Sequence, residues 1–132
     1  MKQVTPARRH FDGWLRSYGD AWEQRDSAAA LRLFSPDASY YWTPFDPPLV
    51  GHAAIAEALS AATASQRDIR FSYEILCADA GRGIAAWSAY FARLDTPAAV
   101  RVEGVLSAEW DDSGNCRRFR EWWHLVEGAP AV

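Results

Sequence analysis

A carboxylate flanked by rings stands in the run Phe119-Arg120-Glu121-Trp122-Trp123-His124. In an extended strand, period-two alternation puts Phe119, Glu121 and Trp123 on one face and Arg120, Trp122 and His124 on the other. Such a run is either a strand buried on both faces or the wall of a site. A carboxylate held among rings in a dry cavity loses solvation, so its proton affinity rises toward the range useful for general acid–base work. The plainer alternative is a buried glutamate held by a partner such as Tyr18 or an arginine, since a carboxylate is rarely buried without a reason. His124 cannot stand beside Glu121 in a regular strand, and only a bulge would bring the two together.

Other chemistries find no residues to carry them. The three histidines, His10, His52 and His124, are scattered, and no close His/Asp/Glu grouping has metal-ligand spacing. There is no glycine-rich phosphate loop and no nucleophile elbow, so neither a metal nor another cofactor is expected. Cys77 and Cys116 are too far apart in sequence for a metal pair and read as packing or surface thiols. A net charge of −3 and a pI near 5.5 argue against a nucleic-acid partner. The longest apolar runs are short and broken by charges, which argues against a membrane span. Met1-Lys2-Gln3-Val4-Thr5-Pro6 lacks the apolar stretch of a signal peptide, and a cytoplasmic location is the expectation.

The elements that must position Glu121 follow from length and periodicity. The 132 residues suffice for a single domain, 1–132, with one real core. Seven tryptophans in a chain that is 14% aromatic suit a core, a ligand cavity or an interface. Thr5-Pro6 is a helix-start signal, and Phe11, Trp14, Leu15, Tyr18 and Trp22 recur at helical spacing to about Arg25. Asp26 can cap a short second helix through Ala28 to Phe34, ended by Pro36. Ser39-Tyr40-Tyr41-Trp42 reads as a short strand, followed by a loop rich in proline. A third helix is predicted from His52 to about Ser65, with Ile55 and Leu59 on its apolar face. Period-two alternation then marks strands over 69–77, 84–94, 99–110 and 116–126. The turn clusters Asp79-Ala80-Gly81-Arg82-Gly83, Asp95-Thr96-Pro97 and Asp111-Asp112-Ser113-Gly114-Asn115 separate them. Helices first and a meander afterwards predict an α+β fold.

The order of these segments, with "LFSPDASYYWTPF", "GHAAIAEAL", "AAWSAYF" and "VEGVLSAEWDDSGNCRRFREWWH", resembles the SnoaL-like branch of the nuclear transport factor 2 superfamily over about residues 10–126. The resemblance implies a cone in which three N-terminal helices pack on the concave face of a bent antiparallel sheet. It also implies a mostly apolar pocket for a small hydrophobic molecule and a homodimer through the convex face. Glu121 resembles the last-strand acid of epoxide-hydrolase-type members, so its face would look inward, with Trp123 beside it and Trp122 and His124 on the convex side.

Trp14, Tyr18 and Trp22 of the first helix, Phe34, Ile55 and Trp87 would supply the pocket wall. Trp42 and Phe45 belong to the segment that resembles the family's cavity rim. There Tyr41, or Tyr40 beside it, could offer a hydroxyl to a substrate oxygen as the partner of Glu121. Glu103 is a weaker site candidate, Glu109 reads as solvated near its strand end, and His52 reads as a solvent-facing helix-start residue. Gly104 would let the sheet bend or a ring approach the backbone.

Two function classes follow. One is a pocket protein that binds a small apolar or aromatic ligand. The other is a cofactor-independent cyclase, isomerase, hydratase or hydrolase with Glu121 as general base. Superfamily members do both, and fold alone does not choose between them.

Overall fold

Helix α1 (Pro6–Glu23) begins where the sequence says it should. Thr5 Oγ1 accepts the Arg8 N–H at 3.1 Å, and Pro6 occupies the first turn, where its missing donor costs nothing. The computed structural model describes residues 4–96 and 98–128. Met1 to Gln3 of the leader reading and Pro97 of the second turn cluster lie outside the described residues. Along α1, Phe11, Trp14, Leu15 and Tyr18 are buried and Trp22 is half-buried, one apolar stripe against the sheet.

Helix α2 (Ser27–Leu31) is capped by Asp26, whose Oδ1 accepts the Ala29 N–H at 3.0 Å. It is shorter than its alanine-rich sequence suggests. Phe34 starts strand β1 (Phe34–Tyr41) instead of ending the helix, and Pro36 lies inside that strand. The proline is tolerated because the pairing register shifts between Phe34 and Ser39, leaving the intervening residues outside the ladder. Strand β2 (Leu49–Val50), which the proline-rich loop had concealed, pairs with β1. Gly51, at φ 89°, then turns the chain into α3 (His52–Thr63).

The remaining strands are β3 (Gln66–Ala78), β4 (Arg82–Arg93), β5 (Ala99–Trp110) and β6 (Cys116–Glu127). They form an antiparallel meander, and the sheet order is β2-β1-β6-β5-β4-β3. The architecture is α+β, as the sequence implies, but the sheet is mixed and open. β1 runs parallel to β6, with Tyr40 opposite Phe119, which corrects the expectation of a wholly antiparallel sheet. The physical reason lies in the connection. Two parallel neighbours need a long crossover, and β2, α3 and the whole meander supply it.

Rows of side chains now share faces. Glu121, Leu106, Ala85 and Ile75 form one inward row; Trp123, Gly104, Trp87 and Tyr73 form the next. Phe11, Leu15, Phe34, Tyr40, Ile55 and Phe119 fill the space between helices and sheet and are fully buried. Two glycines admit this packing. A Cβ on Gly19 would lie 2.6 Å from Phe71 Cδ2, and one on Gly83 would collide with the Phe11 ring. Both cysteines are free, Cys77 exposed and Cys116 buried. Among the described residues no helix is long and apolar enough to cross a membrane.

Candidate functional site

Glu121 faces inward from β6 and is 6% exposed. Strand parity puts it on the same side as Phe119 and Trp123, opposite Leu106. Tyr40 Oη donates to Glu121 Oε1 at 2.8 Å, Tyr18 Oη reaches the same oxygen at 3.4 Å, and the two hydroxyls stand 3.0 Å apart. Each hydroxyl has one proton to give. The two shorter contacts therefore form a chain in which Tyr18 donates to Tyr40 and Tyr40 donates to Glu121. Among the described residues Oε2 has no protein partner, and Glu121 lines a cavity.

Burial pushes the Glu121 carboxyl up to about 7, while its bonds from Tyr40 and Tyr18 pull the other way. Desolvation dominates because no cation is paired with the group among the described residues. Tyr18 and Tyr40 are held well above the ordinary tyrosine value, first by burial and then by the neighbouring Glu121 charge. They remain protonated donors at any physiological pH. The titrating member of the cluster is the carboxyl.

The cavity beside it measures about 170 Å³. Tyr18 and Trp22 of α1, Trp87 and Phe91 of β4, Val102 of β5 and Trp123 of β6 form much of its wall. Ala30 of α2 and Leu59, Ala62 and Thr63 of α3 close it from the helical side. Trp123 Nε1 donates to the Trp42 carbonyl oxygen at 2.9 Å, tying β6 to the loop after β1. Exposed Arg25, Asp26 and Leu125 stand at the mouth.

Of the residues expected at a site, Glu121, Tyr18, Trp22, Trp42, Trp87 and Trp123 come together around this space. Trp14, Phe34 and Ile55 do not. They are packed into the solid core, with Trp14 Nε1 bound to the Leu33 carbonyl at 2.9 Å. Phe45 points away altogether, 93% exposed at the tip of its loop. Tyr41 is also on the wrong face. It alternates with inward Tyr40, and its ring packs beneath the Arg118 guanidinium, 5.5 Å from ring centre to Arg118 Cζ. The hydroxyl that meets Glu121 from β1 is that of Tyr40.

The remaining candidates stand outside. His124 is exposed on the outer face opposite Glu103, which pairs with Arg101 at 2.6 Å. His52 is not solvent-facing as expected: its Nε2 lies 2.9 Å from the Phe34 carbonyl, holding α3 to β1. Glu109 is buried instead of solvated, among Arg82, Arg117 and Arg118 at 3.6, 3.2 and 3.6 Å. Sequence reasoning missed Gln66, at the first position of β3, because the alternating pattern starts only at Ile69. Phe91 and Val102 were within reach, since they share the face of Trp87 and Ala89. Among the described residues no group of His, Cys, Asp and Glu could hold a metal ion.

A SnoaL-like domain model matches residues 15–119. The chain belongs to the SnoaL-like family. Three solved structures show the same nuclear transport factor 2-like fold at low identity. A candidate aromatic ring hydroxylase from Novosphingobium aromaticivorans superposes with a TM-score of 0.75 and 20% identity, over 92% of each chain. A candidate polyketide cyclase from Xanthomonas campestris gives 0.77 and 19%, over 89% of this chain and 93% of that one. A Δ5-3-ketosteroid isomerase from a Mycobacterium species gives 0.75 and 16%, over 89% of this chain and 98% of that one. No curated protein matches the sequence. In this SnoaL-like domain the inward acid on β6 is a glutamate, and both tyrosines that hold it come from the N-terminal third of the chain.

Proposed function

We propose that this SnoaL-like protein binds a small, largely apolar ring compound, with one polar group of the ligand set against Glu121. The observation that carries the reading is Glu121 Oε2, a carboxylate oxygen without a protein partner among the described residues on a wall that is otherwise mostly apolar. A concave apolar site with a few placed polar groups is the usual form of a small-molecule pocket. Its volume, about 170 Å³, is close to that of the roughly 150 Å³ apolar cavity known to admit benzene. Because both tyrosine protons are committed within the cluster, Oε2 is the atom left to meet the ligand. It accepts a hydrogen bond when ionised and donates one when protonated. The fold relatives support this reading only as analogy.

A titration with phenol tests it. The indole N–H signals of Trp22 and Trp87 should shift saturably in NMR spectra, and Ala62→Phe, which fills the cavity from α3, should abolish the effect. Phenol that leaves both signals in place would overturn the reading.

A second reading, acid–base catalysis, is favoured by one specific observation: a carboxyl whose pKa is about 7 beside a cavity. Glu121 would take a proton from a carbon next to a ligand carbonyl and return it to another position, so that no proton is gained or lost overall. Deuterium exchange into cyclohexanone tests this, since Glu121→Gln should remove any exchange catalysed by the protein while leaving phenol binding in place. The proposal sets the protein in the cytoplasm as a homodimer across the convex face, where Trp122 is 43% exposed in the single chain.

A further inference from the structure

The cavity has a second polar end, and it is made by Gln66. This side chain is 8% exposed, lines the cavity, and stands where β3 begins beneath the end of α1. Trp22 Nε1 donates to Gln66 Oε1 at 2.9 Å. An indole N–H can only donate, so the carboxamide must present its oxygen to Trp22 and turn its NH₂ the other way. That NH₂ has no protein partner among the described residues. This N–H donor thus belongs to a side chain that lines a largely apolar space, with nothing among the described residues to accept it, and a donor shut away from water unmet is costly.

The two ends are approached from neighbouring turns of α1. Tyr18 marks the Glu121 end and Trp22 marks the Gln66 end. Four helical residues separate them, a rise of about 6 Å. Resting on the pocket reading above, we infer that Gln66 is a specificity-determining residue that selects ring compounds bearing a carbonyl-type acceptor away from the group that meets Glu121. The ligand class is a monocyclic ring with one hydroxyl and one carbonyl on different ring positions, not a plain hydrocarbon or a simple phenol. A site built to meet a polar atom rejects the analogue that lacks it, because its own donors are then left unpaired.

The test compares two probes, 4-hydroxybenzaldehyde and p-cresol, which share the ring and the hydroxyl and differ in the carbonyl. Calorimetric titration of the unmodified protein should give at least a tenfold tighter Kd for 4-hydroxybenzaldehyde. Gln66→Glu keeps an oxygen for Trp22 Nε1 but removes the NH₂ donor, and it should collapse that ratio severalfold. Gln66→Leu should collapse it as well, and agreement between the two variants separates lost recognition from a disturbed fold. If both probes bind the unmodified protein equally, the inference about Gln66 is wrong while the pocket reading stands. If the ratio survives in both variants, the inference is equally wrong. Should neither probe bind, both readings fall together.

Discussion

The Tyr18 and Tyr40 hydroxyls lie 3.0 Å apart, and only Tyr40 approaches Glu121 Oε1 closely, at 2.8 Å against 3.4 Å for Tyr18. Tyr18 therefore acts on the carboxylate largely through Tyr40. A carboxylate that loses a hydrogen bond loses stabilisation of its charged form. Tyr40→Phe should raise the Glu121 pKa above about 7, and Tyr18→Phe should raise it by less. Carbon-detected NMR titration of the Glu121 carboxyl checks the order. A larger rise in Tyr18→Phe would show that the chain runs the other way.

The same carboxyl makes stability depend on pH. Its folded value, about 7, lies above the ordinary 4.5, so between those two pH values the unfolded chain ionises first. The unfolded state then holds fewer protons than the folded one, and stability falls as pH rises through this window, levelling off above it. The shift corresponds to a loss of about 3 kcal/mol for this group. Glu121→Gln should remove that slope. Urea unfolding at pH 5 and at pH 8 measures it, and a slope unchanged by the substitution would mean that another group is responsible.

Gly104 faces Trp123 across the β5–β6 ladder, and a Cβ there would lie 2.9 Å from Trp123 Cα and closer still to the Trp122 carbonyl oxygen. Backbone atoms cannot give way as a flexible side chain can. Gly104→Ala should cost about 1–3 kcal/mol. Gly13 offers the contrast, since a Cβ there meets nothing within 4 Å on the exposed side of α1. Gly13→Ala should stabilise by up to about 1 kcal/mol through helix propensity alone. Chemical denaturation of both variants gives the two signs, and a neutral Gly104→Ala would contradict the close approach.

The proposed dimer makes a further expectation. Trp122 belongs to an outer row with Val105 and Ala86, a large ring to leave in water. Light scattering at micromolar concentration should give twice the chain mass, and Trp122→Glu should halve it. A monomeric unmodified protein would remove the convex face from consideration as a self-association surface.

The helices and the meander were legible in the sequence because each carries a local signal. Thr5-Pro6 opens α1, and alternation runs through β4, the first part of β5 and Phe119 to Glu121 of β6. Glu121 was legible in part for the same reason: parity aligned it with Phe119 and Trp123, while the inward direction of that face came from the family resemblance. β1 was not. Pro36 and the shifted register interrupt its alternation, so nothing local distinguished Tyr40 from Tyr41, and the tyrosine that reaches the carboxylate is decided by pairing with a strand about eighty residues away in sequence. Trp14, Phe34 and Ile55 failed as pocket residues on similar grounds. Sequence shows that a side chain is apolar and inward, but whether it meets a neighbour or an empty space depends on packing. Gln66 has no sequence signature at all, because its role comes from the Trp22 indole that orients it.

The parallel pairing of β1 with β6 also governs when the site can exist. Tyr18 and Tyr40 leave the ribosome long before Glu121, which is 103 and 81 residues further along the chain. α1 and the β3–β5 meander can gather while β6 is still being made. Until β6 slots between β1 and β5, the sheet has two unpaired edges at its centre, and the tyrosine hydroxyls have no carboxylate to meet. Contacts this distant in sequence slow folding. Assembly of the cavity should therefore coincide with the docking of β6, and a nascent chain stalled before Glu121 would carry most of the aromatic wall without the acid that gives it a use.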